Sequence, residues 1–317
     1  MSSLVEQILQ ALTAGLLMGC IYGLMCVGLG LIFGIMRVIN FAQGDFLMVG
    51  MYLAIFFAGS ILPAAVFGAA IPFIAALLTG PVMFVAGYLL NRHLVSRTTG
   101  LQVIGSAEGE AHQTQLILTL GVALVLENSA LLFLGSAPMT ALNKWSAAAW
   151  ELPLRYDDFS AVFVNKARFI NALIAIAVTI ALFAFTARTR LGKSLRAAAI
   201  NPEAALYMGI DVSRAHHIAF GLGTAIAAIS GGLVAVYYPA QPFVGLEFLI
   251  IIYAGVVLGG LGNIMGAFWG GMTIGLVQQL STIVIPLQLQ NAAIFVVFIT
   301  ILLFRPEGLF GKSAERA

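Results

Sequence analysis

Long apolar runs, separated by short charged stretches, make up most of the chain. Because a backbone in lipid must form its hydrogen bonds within its own segment, a helix that crosses a bilayer needs about 20 such residues. One helix fits between residues 6 and 37, and two fit between 45 and 92. One more fits in each of the runs 110–144 and 168–188, and four, one of them short, fit in 215–304. The pattern predicts about nine transmembrane helices, within a range of eight to ten.

The composition agrees with a membrane protein and excludes a water-soluble one. Hydrophobic residues make up 61% of the 317 residues, charged residues make up 9%, and the mean hydropathy is +1.03. About a quarter of the residues of a soluble domain are charged. We therefore expect a single all-α polytopic domain over residues 1–317. The net charge of +2 is spread over the loops, so no nucleic-acid partner is predicted.

Lysine and arginine in short loops mark the cytoplasmic side of a membrane protein. If the chain has nine helices and its amino terminus lies outside, most basic residues fall on the cytoplasmic side. The longest polar loop on that side is 187–214. The stretch 136–168 falls outside and is predicted to be a periplasmic loop. Its tryptophans allow two interpretations, a segment along the membrane interface or a contact with a protein partner. The basic residues on the cytoplasmic side are Arg37, Arg92, Arg97, Arg188, Arg190, Lys193, Arg196, Arg214, Arg305, Lys312 and Arg316.

Glycines recur in two patterns. Every fourth residue is glycine at Gly15, Gly19 and Gly23 and again at Gly262, Gly266 and Gly270, a spacing that lets helix backbones pack closely. Two segments that combine glycine with asparagine, 39–46 and 259–266, interrupt apolar runs in opposite halves of the chain. Such paired interruptions are typical of discontinuous helices beside a transport pathway. We expect broken or re-entrant segments at both places and, as a hypothesis, an internal repeat.

Three acids lie in or beside the apolar runs. Asp45 is either an intramembrane carboxylate on a substrate or proton path or, in the preferred interpretation, the start of a helix at the interface. Glu127 lies in the middle of its run, where an acid must be protonated or paired. A role in transport and a role in locking the bundle are both open for it. Glu247 is interpreted as a solvated loop acid.

The sequence lacks the motifs of an enzyme. Gly192-Lys193-Ser194 resembles the end of a phosphate-binding loop, but Ala187 stands where that loop needs its first glycine. The chain has no clustered metal-ligand motif and no nucleophile elbow. We therefore predict a protein that performs no chemistry of its own and needs no cofactor or metal.

The loop 187–214 contains a predicted short helix. Asn201 is a favourable cap, Pro202 suits the first helical position, Glu203 suits the first turn, and Gly209 is a natural stop. The signals predict a helix from Pro202 to about Met208. It either determines topology only or docks into a cytoplasmic motor.

Four ordered motifs resemble the branched-chain amino acid ABC-importer permease family, in particular the smaller of its two permeases. They are Ile-Asn-Phe-Ala-Gln-Gly-Asp-Phe at 39–46, Arg-Ala-Ala-Ala-Ile-Asn-Pro-Glu-Ala-Ala-Leu-Tyr-Met-Gly-Ile at 196–210, Leu-Gly-Gly-Leu-Gly-Asn-Ile-Met-Gly-Ala at 258–267 and Arg-Pro-Glu-Gly-Leu-Phe-Gly at 305–311. The resemblance extends over essentially the whole chain. It implies a type II ABC-importer-like permease in the bacterial inner membrane. The implied partners are a related second permease, two cytoplasmic ATPases and a periplasmic substrate-binding protein.

The resemblance also implies roles for particular residues. The ATPase-coupling set is Asn201, Pro202, Glu203, Ala204, Leu206 and Gly209, flanked by Arg190 and Arg196. The translocation-pathway set is Asn40, Gln43, Gly44, Gly260, Gly262 and Asn263, to which the acids Asp45 and Glu127 are added as candidates. The family often has histidine where this chain has Gln43, which argues against an ionisable role there.

Two other functions remain open. A stand-alone secondary transporter would couple to protons through Glu127 or Asp45 and would need no cytoplasmic partner. A channel or membrane scaffold would allow passive flux or none. Within the family, relatives that carry urea, short amides or aromatic acids leave the substrate undecided.

Overall fold

The computed structural model describes residues 2–61, 68–96, 108–141, 144–153, 161–286, 289–305 and 307–311. Arg97, Pro306, Lys312 and Arg316, which the sequence analysis uses, lie outside these residues. The helices are α1 (Ser2–Met36), α2 (Gln43–Phe56), α3 (Ile71–Leu90), α4 (Glu108–Leu134), α5 (Lys166–Arg188), α6 (Arg190–Ile200), α7 (Pro202–Tyr207), α8 (Val212–Val234), α9 (Val244–Gly259), α10 (Ile264–Ser281) and α11 (Gln290–Phe304). Strands β1 (Ala149–Pro153) and β2 (Ala161–Asn165) lie between α4 and α5.

The architecture confirms an all-α polytopic membrane protein. Among the described residues, six helical spans are long and apolar enough to cross a bilayer. Four are formed by α1, α4, α5 and α8. The other two are Gln43–Ile61, which contains α2 and the turn that continues it, and Gly68–Val95, which contains α3 and its flanking turns. The run 215–304 contains four helices, as predicted. However, two of them rather than one are short, because α9 and α11 have 16 and 15 residues.

Helix α1 is the centre of the bundle. Every residue from 18 to 32 is buried, which is typical of a helix surrounded by others on all sides. Its three spaced glycines face α10, where a Cβ on Gly19 or Gly23 would collide with the backbone of Met272 or Phe268. Gly270 likewise lies against α9. The close packing predicted from the glycine spacing is confirmed for Gly15, Gly19, Gly23, Gly266 and Gly270, whereas Gly262 lies in the turn before α10.

The two ends of the bundle carry different loops. At one end, Gln10 of α1 contacts β2 near the start of α5. At the other end, the last turns of α1 and α5 meet α6, the α9–α10 turn and Phe310. The loops 136–168 and 187–214 therefore lie at opposite ends of the molecule. We call them the hairpin end and the helical-loop end.

The start of α2 lies inside the bundle rather than at its surface. Arg37 adopts a positive φ of 53° directly after α1, and the chain turns back along that helix. Gln43 lies against Gly28, eight residues before the end of α1, a rise of about 12 Å. A helix start was predicted at Asp45, and this residue lies in the first turn of α2, buried in the protein interior. Its position relative to the membrane interface stays a prediction.

The segment 136–168 forms a β-hairpin that the sequence did not predict. Strands β1 and β2 pair antiparallel, with Trp150 opposite Val164 and Glu151 opposite Phe163. Lys166 lies over the Trp150 ring at 5.6 Å, and Phe169 packs edge-on against the same ring. Aromatic and charged residues alternate over few positions here, so the apolar pattern was too short to indicate strands.

Candidate functional site

A buried polar cluster lies where α2 begins. Asn40 Nδ2 donates to Gln43 Oε1 at 3.1 Å, and Asn40 Oδ1 accepts from the Ala42 N–H at 3.2 Å. Gln43 Nε2 donates to the Gly223 carbonyl of α8 at 3.2 Å. Both amide side chains are fully buried. The cluster therefore joins the start of α2 to α8 through hydrogen bonds between buried groups, to which water has no access.

Two carboxylates lie beside this cluster. Asp45, in the first turn of α2, is only 5% exposed, and Glu127 of α4 is 9% exposed. The Glu127 carboxylate lies within electrostatic range of Asp45. Gly44 and Gly245 allow the starts of α2 and α9 to approach so closely that a Cβ on Gly44 would collide with the Gly245 carbonyl. The structure thus brings together five predicted pathway residues, Asn40, Gln43, Gly44, Asp45 and Glu127.

Another acid, Glu247, is exposed, as the sequence predicted, but it lies in the first turn of α9 rather than in a loop. Its Oε2 accepts a hydrogen bond of 2.6 Å from the Tyr238 hydroxyl. Burial and this hydrogen bond raise the pKa of Tyr238 to about 12. The phenol therefore stays protonated at neutral pH and ties the α8–α9 loop to α9.

The other predicted pathway residues lie elsewhere, in the turn between α9 and α10. Gly260 and Gly262 have φ values of 96° and 85°, which strain any residue with a Cβ. Asn263 caps α10 by accepting from the Gly266 N–H at 3.1 Å, and its Nδ2 donates to the Phe310 carbonyl at 3.2 Å. The turn is therefore fixed at the helical-loop end. Its role in a pathway stays a prediction.

Helices α6 and α7 follow the local signals of the sequence. Asn201 Oδ1 accepts from the Ala204 N–H at 2.9 Å, and Gly209 ends the segment with a φ of 78°. The predicted short helix is present as Pro202–Tyr207. The sequence analysis missed α6, although Thr189 gives a capping signal by accepting from the Gly192 N–H at 2.9 Å.

A group of large apolar side chains is exposed on these two helices. Ile200 is 80% exposed and Tyr207 is 88% exposed, and Leu206 and Met208 are also exposed. We call these four residues the apolar loop surface. Glu203 and the basic residues Arg190, Lys193 and Arg196 are exposed on the same two helices. An exposed apolar patch with a polar rim is typical of a protein interface.

A groove of about 600 Å³ joins the loop helices to the glycine turn. Arg196 and Ile200 line it on one side, and Gly262 and Asn263 line it on the other. Arg196 Nη2 also donates to the Ala187 carbonyl at 3.1 Å, which holds α6 against the end of α5. Arg196 of the predicted ATPase-coupling set and Gly262 and Asn263 of the predicted pathway set thus line the same groove. Their spacing along the sequence could not indicate this contact.

The helical bundle defines a polytopic membrane protein. The chain belongs to the family described as branched-chain amino acid transport system / permease component, whose model matches residues 11–304. It is a permease subunit of an importer, as its motifs implied. No solved structure matches the chain significantly.

Similar proteins span most of the chain. The high-affinity branched-chain amino acid transport system permease protein LivH of Escherichia coli (strain K12) is 27% identical over 96% of both chains. BraD of Pseudomonas aeruginosa, described in the same words, is 28% identical over 96% of both chains. The probable branched-chain amino acid transport permease protein LivH of Methanocaldococcus jannaschii is 29% identical over 82% of this chain and 76% of its own.

The buried amide cluster gives a first prediction. Replacing Asn40 with leucine leaves the Ala42 N–H and the Gln43 amide oxygen without their partners, which costs about 1–3 kcal/mol per buried group. The midpoint of thermal unfolding of the purified protein should fall accordingly. Asn128→Leu is the matched control, because Asn128 is exposed on α4 and its Nδ2 donates to the Leu124 carbonyl of the same helix. Equal midpoints for the two variants would contradict a structural role for the cluster.

Proposed function

We propose that this chain is a membrane subunit of an ATP-driven importer for branched-chain amino acids in the bacterial inner membrane. It would form the translocation pathway with a related second permease. Two cytoplasmic ATPases would bind the helical-loop end, and a periplasmic binding protein would deliver substrate to the hairpin end. The similar proteins of Escherichia coli and Pseudomonas aeruginosa, which are branched-chain amino acid transport permeases, support the substrate class.

The single observation that carries the proposal is the apolar loop surface. A six-residue helix with capping residues at both ends presents most of the Leu206 and Tyr207 side chains to solvent. Large exposed aromatic and aliphatic residues are typical anchors of a protein interface. A partner that moves during ATP hydrolysis would act on α5 through α6, because Arg196 ties these two helices together.

The proposal is tested by the composition of the native complex. The chain would carry a carboxyl-terminal tag, be solubilised gently from its own membranes, and have its co-purifying chains identified by mass spectrometry. We expect two ATPase subunits and a second permease. A chain that purifies alone, from membranes in which another ABC transporter stays intact, would contradict the proposal.

A charge reversal on α7 tests the coupling role. Glu203 lies in the first turn, where the helix dipole favours an acid. Glu203→Arg should prevent assembly or allow ATP hydrolysis without uptake, whereas Glu203→Gln should stay close to the wild type. The measurement is leucine uptake and phosphate release by the same reconstituted complex. Normal uptake by Glu203→Arg would contradict a role of α7 in coupling.

One observation favours the rival function of a proton-coupled secondary transporter. Asp45 and Glu127 are buried neighbours, and intramembrane carboxylates of this kind form proton paths in transporters. If this rival is correct, collapse of the proton gradient at constant ATP should abolish uptake. Glu127→Gln should then abolish uptake as well.

A further inference from the structure

A cleft of about 820 Å³ opens at the hairpin end between the start of α1, strand β2 and the end of α10. Gln10 fixes its shape by joining α1 to β2. Its Nε2 donates to the Phe163 carbonyl and its Oε1 accepts from the Phe163 N–H, both at 2.9 Å. The cleft is therefore large enough for a small molecule and is bounded by hydrogen-bonded elements.

The cleft contains one charge of each sign. Glu6 of α1 and Arg168 of α5 are the charged residues that line it, both are half-buried, and no ion pair joins them in the part of the chain that the structure describes. Gln7 and Gln279 add amide groups. Opposite charges that line one cleft without pairing with each other suit a ligand that carries both charges.

The position of Arg168 favours binding of an anion. Its guanidinium carbon lies 5.4 Å from the centre of the Tyr237 ring, and its backbone N–H donates to the capping Asn165 side chain at 3.1 Å. It lies in the first turn of the 23-residue helix α5, which has no acid there. The positive end of the helix dipole disfavours a cation at this position and favours an anion. A bound carboxylate would be stabilised by both the guanidinium and the helix.

Apart from Thr282, the remaining lining is apolar, and its residues are small near α1. Ala11 and Ala14 leave room beside Ile283, and an aliphatic side chain can be buried there at a gain of about 0.8 kcal/mol per CH₂ group. We infer that the cleft binds a free amino acid with an aliphatic side chain. Its carboxylate lies at Arg168, its ammonium group at Glu6, and its side chain against these apolar residues. The inference rests on the proposed function, since it adds a binding step for the same class of substrate.

The test measures binding of radiolabelled L-leucine to the assembled transporter in lipid nanodiscs, with the binding protein left out. Unlabelled leucine is compared with leucinol, which lacks the carboxylate, and with 4-methylpentanoate, which lacks the ammonium group. Each analogue should compete at least about tenfold more weakly than leucine, because each loses a charged hydrogen bond. Equal competition by leucine, leucinol and 4-methylpentanoate would overturn the inference, and so would the absence of leucine binding. Because the test uses the wild-type transporter, its outcome does not depend on the folding of a variant.

Variants locate the site. Arg168→Gln and Glu6→Gln should each weaken leucine binding about tenfold, and Arg168→Lys should restore most of it. Lys166→Gln is the matched control, because Lys166 shares the first turn of α5 but lies over Trp150 instead of lining the cleft. Unchanged binding in Arg168→Gln would overturn the inference. The same holds if this variant loses only the docking of the binding protein, since the cleft would then be a protein contact.

The two proposals fail in distinguishable ways. ATP-driven leucine uptake by the wild-type complex tests the importer function alone. Normal uptake by a wild-type complex that shows no leucine binding in the cleft would overturn the inference and leave the importer intact. Absence of ATP-driven uptake by the wild-type complex would instead contradict the proposed function, whatever the cleft binds.

Discussion

Replacing Tyr207 with aspartate should lower ATP-driven leucine uptake by at least roughly 30-fold. Tyr207 is 88% exposed on α7, so the replacement leaves no cavity in this chain. In the proposed complex its ring is an anchor against an ATPase. Loss of a tyrosine anchor costs about 2 kcal/mol or more at an interface, and a buried carboxylate without a partner adds to that cost. Uptake is measured in proteoliposomes, with the amount of bound ATPase determined in parallel.

Tyr207→Phe is the matched control for this prediction. It keeps the ring and removes only the hydroxyl group, so uptake should stay within about twofold of the wild type if apolar contact carries the interaction. If both variants take up leucine normally, the apolar loop surface is not the ATPase contact. If Tyr207→Phe is inactive and Tyr207→Asp is active, the hydroxyl group rather than the apolar surface is essential for uptake.

Replacing Gly50 with alanine should destabilise the helical bundle by about 3 kcal/mol, near the upper end of the cost of overpacking. A Cβ on Gly50 of α2 would collide with the backbone of Ala228 on α8. A backbone contact cannot be relieved by a rotamer change, so the two helices must separate. This contact also positions the start of α2 and its buried amide cluster. The measurement is the thermal unfolding midpoint together with the yield of folded protein.

Gly121→Ala provides the control, because it adds the same methyl group to another membrane helix. A Cβ on Gly121 of α4 has no neighbour within 4 Å, and alanine favours a helix over glycine by about 1 kcal/mol. This variant should match or exceed the wild type in stability. Equal losses from both variants would mean that the effect arises from glycine in helices generally and not from the α2–α8 contact.

Local features of the site could be predicted from the sequence because they depend on neighbouring residues. Asn201, Pro202 and Gly209 indicated α7 through cap chemistry and backbone preference, and the structure contains that helix. Gly19 and Gly23 indicated a close helix contact through their spacing alone, although they did not identify α10 as the partner helix. The runs between charges likewise gave the order of the apolar helices.

Long-range neighbours could not be predicted in this way. The reversal at Arg37 brings Asp45 into the protein interior, and packing against helices far along the chain, α4 and α9 among them, fixes that position. The glycine turn shares a groove with Arg196 although more than sixty residues separate them along the chain. The two hairpin strands could not be predicted for another reason, because each is only five residues long and is stabilised by its partner rather than by its own pattern.

The central claim is that this chain transports amino acids by using ATP hydrolysed by its partners. The most direct measurement reconstitutes the purified complex with its binding protein in liposomes and follows leucine uptake with and without ATP, and with and without a protonophore. We predict uptake that requires ATP and is unchanged when the proton gradient collapses. Uptake that proceeds without ATP and stops when the proton gradient is collapsed would contradict the claim and identify a proton-coupled transporter.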